Sequence, residues 1–101
     1  MDAHYFKEHI CEELDGACDY IKRAIELKAM DATMSKTFAD MSAAELNHAT
    51  QLHKMFGEYY AKVTGVYKEP PDYLVEIQNF LGEKFPEKSA KILRMHEMYK
   101  K

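Results

Sequence analysis

The prolines are confined to one end of this chain, and that confines the folds open to it. Gly65, Pro70, Pro71, Gly82 and Pro86 all fall beyond Thr64, and from Tyr5 to Met30 only Gly16 intervenes. Proline removes a backbone donor and clashes with the preceding turn, so a stretch that withholds it is free to run as long helices. The side chains repeat accordingly, in alternating steps of four and three. One stripe is Phe6, Ile10, Glu13, Ala17, Tyr20, Ala24, Leu27, and a second is Met34, Phe38, Met41, Glu45, His48, Leu52, Met55, Tyr59, Val63. This is the period of an amphipathic helix. The spacing predicts a first helix from about Tyr5 to Met30 and a second running to about Thr64. Between them Asp31-Ala32-Thr33 is a short polar break that offers N-caps. Two long helices joined by so short a loop form an antiparallel hairpin.

The last third predicts shorter pieces. Gly65 supplies a stop for the second helix, and Lys68-Glu69-Pro70-Pro71-Asp72 reads as an extended connector, because proline restricts the residue before it. Asp72 is placed to cap a helix over Tyr73 to Leu81, with Leu74, Ile77, Phe80 and Leu81 apolar. Beyond Gly82, Pro86 suits the first turn of a final helix to about Tyr99 that carries Ile92, Leu93, His96 and Tyr99 on one side. The two pieces are expected to pack across the hairpin or to mediate assembly. The expected fold is therefore all-α: one domain over 1–101, with the hairpin in 1–64, the connector in 65–72 and two C-terminal helices in 73–101.

A chain of 101 residues holds one modest core. Its formal net charge of -3 leaves no basic excess to neutralise phosphates, which argues against nucleic acid as a partner. No stretch approaches the length of a membrane span, and Met1 to Glu8 lacks the pattern of a signal peptide. The expected location is the cytoplasm, or a protein compartment or virion assembled there. Cys11 and Cys18, seven apart on one helix, stand about 10 Å from each other. A disulfide bridges Cα atoms no more than about 7 Å apart, so the two cannot pair and read as small buried apolar residues.

Glu45 and His48 fall on a stripe where a helical bundle expects apolar side chains, and burying an ionised carboxylate without a partner is costly. Glu13 breaks the stripe of the first helix in the same way. With the turn centred near residue 31, Glu13 lies level with residue 49, His48 is about one residue away and Glu45 about 6 Å along the axis. Two carboxylates and an imidazole meeting at one depth form half of a carboxylate-bridged dinuclear metal centre. In that reading Glu13 is a terminal ligand, Glu45 bridges and His48 is terminal, and the same three residues carry any catalysis.

The run Glu13-Leu14-Asp15-Gly16-Ala17-Cys18-Asp19-Tyr20, followed by Glu45-Leu46-Asn47-His48-Ala49-Thr50-Gln51-Leu52, resembles the first helix pair of the ferritin-like superfamily, rubrerythrin most of all. There a ligand Glu is followed seven residues later by a Tyr, and Glu-x-x-His-Ala comes on the next helix. The resemblance implies Glu13, Glu45 and His48 as ligands and Tyr20 as a hydrogen-bond donor to a ligand carboxylate. It covers the first two helices only. No second Glu-x-x-His and no Cys-x-x-Cys follow, so the chain is similar to the half-length, encapsulated-ferritin type, which small hairpins of bacteriophage origin also resemble. That implies a homodimer or higher homo-oligomer forming a ferritin-like four-helix bundle, with two irons per dimer. Ferroxidase or iron-storage chemistry would follow, and manganese or zinc would suit the same donors. An enclosing shell or phage assembly is the implied wider partner.

Plainer readings stand beside these. Ser42-Ala43-Ala44-Glu45 fits a capping box, and the three polar residues would also serve as a metal-free cluster that fixes helix pairing. The chain would then be a non-catalytic assembly module. Tyr20 alone is equally an ordinary packed aromatic. His4 and His9 read as surface residues, with His9 one turn from Glu13; His53, Lys54, Asp15 and Asp19 read as solvated, and Glu12 as a weaker ligand than Glu13. His96 reads as a core residue, and Met34, Met41 and Met55 as adaptable core packing.

Overall fold

The structure, a computed structural model, describes residues 2–66 and 69–101, and every regular element among them is helical. Helix α1 spans Ala3–Leu27. Asp2 caps it, its carboxylate accepting from the Tyr5 amide at 3.1 Å, which satisfies one of the donors that a helix start leaves orphaned. Met30 and Asp31 donate back to Leu27 O, and Asp31 caps α2 by accepting from Met34 N at 2.9 Å. Helix α2 spans Ala32–Val66, so Gly65 lies within its last turn rather than beyond it. Part of the expected connector, residues 67–68, lies outside the described residues.

The two helices form the expected antiparallel hairpin, and their seam is built from small residues. Ala17, Ala24, Ser35, Ala39, Ser42 and Ala49 are buried along it. Ser35 donates to Ala24 O and Ser42 donates to Ala17 O at 2.6 Å, so hydroxyls of α2 bond to the backbone of α1. Only closely spaced helices permit this.

The last third differs from expectation. Asp72–Lys100 is one continuous helix, α3, that runs through both Gly82 and Pro86. Pro86 has no amide to give and its ring crowds the carbonyl four residues back, a cost of about 3 kcal/mol in a helix interior. Packing on both sides of the defect outweighs it. Leu74, Ile77 and Leu81 precede it in the core, Ile92 follows, and Phe80 and Phe85 pack against the same cluster. Gly82 and Pro86 themselves face solvent. Nor does the Asp72 side chain cap α3: Pro71 holds the cap position, and its carbonyl accepts from Leu74 N and Val75 N.

Helix α3 runs parallel to α1. His4 stacks on Tyr73 at its start, Lys7 lies 4.6 Å over the Phe80 ring, Asp15 meets Lys88, and at its end Lys28 donates to Tyr99 O. The result is an up-down-up bundle with principal extents of 56 × 21 × 15 Å. No helix among the described residues is long and apolar enough to cross a membrane.

Candidate metal centre

Two residues of α1 show how the bundle divides. Asp15 meets α3, with Lys88 Nζ 3.3 Å from its Oδ1, whereas Glu13 meets α2, with His48 Nδ1 3.4 Å from its Oε2. Two residues along a helix turn the side chain by about 200°, so these contacts lie on opposite sides of the hairpin. Helix α2 divides in the same way. Leu46 and Asn47 line a groove against Leu93 and His96 of α3, while Glu45 and His48 project from the other side. The three candidate ligands thus converge on the side that α3 leaves uncovered, and one donor atom of each lies within 4.8 Å of the others.

The electrostatics of the cluster are unsatisfied. His48 is 54% exposed and Glu13 25%, but Glu13 Oε2 itself is sealed from solvent and has no hydrogen-bond donor among the described residues. The His48 ring nitrogen is near it without the geometry of a hydrogen bond. A buried carboxylate oxygen without a donor is an uncommon and costly arrangement. The neighbouring Glu13 carboxyl raises the Glu45 carboxyl above its ordinary value; partial burial adds to this and His48 opposes it. Two carboxylates and an imidazole are a donor set that Fe(II), Mn(II) and Zn(II) accept, so the residues present fit a divalent metal.

Tyr20 lies on the same face, its ring 6.0 Å from that of Phe38, and among the described residues its hydroxyl bonds to none of the three ligand candidates. Glu12 points to solvent and pairs loosely with His9 at 3.7 Å, so His9 does not join the cluster.

Several expectations are corrected around the site. Ser42 sits well inside α2, so it begins no helix and the capping-box reading fails. Met34, Met41 and Met55 are 49%, 40% and 46% exposed and do not pack the core. They border the uncovered face, because the buried stripe of α2 is Ser35, Ala39, Ser42, Ala49 and Phe56, one position round the helix. His53 is not solvated but stacks flat on Phe85, centroids 4.2 Å apart, and burial lowers its pKa. His4 is exposed, as expected, and its ring stacks on Tyr73. Cys11 and Cys18 are unpaired, as the spacing requires, but only half buried.

Sequence reasoning missed the role of Ser42. Its one proton goes to Ala17 O, so His96 Nε2, 2.9 Å away, must be the donor of the second bond. That pair ties all three helices together. The signal was present in Ser35, Ala39, Ser42 and Ala49, small residues at helical spacing that mark a close helix contact.

Comparison with protein-family models, with curated proteins and with solved structures returns no match. The ferritin-like resemblance accordingly rests on the residues of the helix pair and their spacing alone.

Proposed function

We propose that this chain supplies half of a ferritin-like dinuclear iron centre, completed when a second copy closes over the uncovered face of the α1–α2 hairpin. The observation that carries the reading is Glu13 Oε2, sealed from water, without a donor among the described residues, and beside a second carboxylate and an imidazole. A divalent cation supplies the charge this oxygen lacks. Glu13 and His48 would be terminal ligands and Glu45 the bridge. When bound there, two irons would supply the oxidation of Fe(II) by oxygen or peroxide, in storage or in protection against oxidants.

Three donors do not satisfy two metals, so the site calls for a partner. A two-fold axis through the cluster would present two copies each of Glu13, Glu45 and His48 at an isologous interface and form a four-helix bundle from two hairpins. Support for this occupant comes from the frame around the site, where Met34, Met41 and Met55 place soft apolar surface on the same stripe as the ligands. That frame would also serve the second reading, a helical assembly module within a shell or virion that turns nothing over.

Oligomer mass and bound iron, measured on wild type, Glu45→Ala and His48→Ala, separate the two. Two irons per dimer in wild type, lost in both variants with the fold retained, is the expected result. Assembly without iron in any protein favours the structural reading. Two metals held tightly by a proven monomer contradict the half-site.

A further inference from the structure

Four glycines lie within the helices, and three of them face open space. A Cβ at Gly57, Gly65 or Gly82 would meet nothing within 4 Å. At Gly16 it would stand 3.3 Å from Glu45 Oε2, 3.6 Å from Glu45 Cδ and 3.8 Å from Glu45 Cγ, so the three nearest atoms across the seam all belong to one carboxylate-bearing side chain. Glycine is a poor residue for the middle of a long helix, because it gives up more backbone freedom than alanine on folding. Close packing of α1 on α2 does not account for its use here. Ala17, the next residue, is fully buried in the same seam and its carbonyl accepts the Ser42 hydroxyl there, so a methyl group is tolerated in close contact between the helices. Position 16 differs from position 17 in what it faces, and what it faces is Glu45.

We propose that Gly16 is a positioning residue of the metal centre: the side chain it lacks is the space in which the Glu45 carboxylate stands, and that space keeps the Glu45 donor oxygen in register with Glu13 and His48. The inference rests on the metal reading above. A contact of 3.3 Å is closer than a Cβ ordinarily accepts, so any larger residue at 16 shifts the carboxylate by a few tenths of an ångström. For the fold this is a small matter, because the end of a Glu side chain moves easily. For a ligand set it is not, since a few tenths of an ångström uses up most of the roughly 0.5 Å within which productive geometry holds. Fold and site thus respond to the same substitution in opposite directions. Alanine at 16 favours the helix and disfavours the centre.

The test uses Co(II), whose visible absorption reports ligand number and geometry, titrated without oxygen into wild type, Gly16→Ala and Gly57→Ala, with thermal melting of each metal-free protein alongside. Both variants are expected to melt higher than wild type. Gly57→Ala should bind Co(II) as wild type does, whereas Gly16→Ala should bind it roughly tenfold more weakly or with an altered spectrum, the size of effect seen when groups that orient a ligand are changed. Wild-type affinity and spectrum in Gly16→Ala overturn the positioning role and leave the metal reading intact. Failure of wild type to bind Co(II) overturns both, and shows it before any variant is compared. If Gly16→Ala melts lower than wild type, Gly16→Ser repeats the test, and wild-type Co(II) binding by that variant overturns the proposal.

Discussion

The two sides of the α1–α2 hairpin are built on different terms. The side under α3 is filled by aliphatic and aromatic groups, with Leu14, Leu74, Ile77, Leu81 and Ile92 in one cluster and Phe56 beside them. The side facing away carries two carboxylates and an imidazole, framed by half-exposed methionines. One side contributes stability by removing apolar surface from water. The other leaves one carboxylate oxygen without a donor among the described residues and apolar surface wet, the features on which the proposed shared centre rests. The hairpin thus has a packed face and an uncovered one, and each should respond to its own class of change.

The largest effect belongs to the covered side. Phe56→Ala should lower folding stability by about 3–5 kcal/mol in chemical denaturation, because it opens a cavity beneath Phe6, Tyr59 and Tyr60. A loss under 1 kcal/mol would mean the covered side is not the core. Ser42→Ala comes next, at about 1–2 kcal/mol, since it removes a buried hydroxyl that bonds Ala17 O and leaves the half-buried ring nitrogen of His96 without its acceptor. An unchanged melting temperature there would remove the three-helix tie from the account.

The pH response should have opposite signs on the two sides. Burial lowers the pKa of His53 and of His96 below 6.5, so their contribution is present above that value and is lost as pH falls through their folded values. His53→Phe should therefore flatten the acid limb of the stability curve below about pH 6.5. Glu45 is raised above 4.5, so its protonated form contributes below that value and the contribution fades as pH rises through the folded one. Metal-free Glu45→Gln should accordingly be more stable than wild type at pH 7, and the gap should close below about pH 4.5. A gap that widens on acidification contradicts the upward shift at Glu45.

The smallest effect on the monomer is expected from the methionine frame. Met41→Gln should change folding stability by no more than about 0.5 kcal/mol, as surface substitutions usually do. Sedimentation should nonetheless show weakened self-association. Full retention of assembly would place the interface elsewhere.

The hairpin and the cluster were legible because both depend on long-range periodicity. Uninterrupted spacing predicted α1 and α2, and a polar residue on an apolar stripe marked Glu13, Glu45 and His48, which the antiparallel register then brought together. What escaped was decided by packing. Gly82 and Pro86 are strong local breakers, yet α3 runs through them because Leu81, Phe85 and Ile92 are held by α1 and α2. The true core stripe of α2 escaped for a related reason: Ser35, Ala39, Ser42 and Ala49 are small, so the bulkier methionines beside them set the apparent hydrophobic rhythm. Their exposure identifies that rhythm as the uncovered face.

The central claim is that Glu13, Glu45 and His48 hold metal only when two copies meet. Crystals grown with Fe(II) in the absence of oxygen and measured on both sides of the iron absorption edge test it directly. The account predicts anomalous density for two irons between paired hairpins, touching Glu13, Glu45 and His48 of both copies. Crystals in which that cluster shows no anomalous signal, or in which one unpaired chain holds both irons, would contradict it.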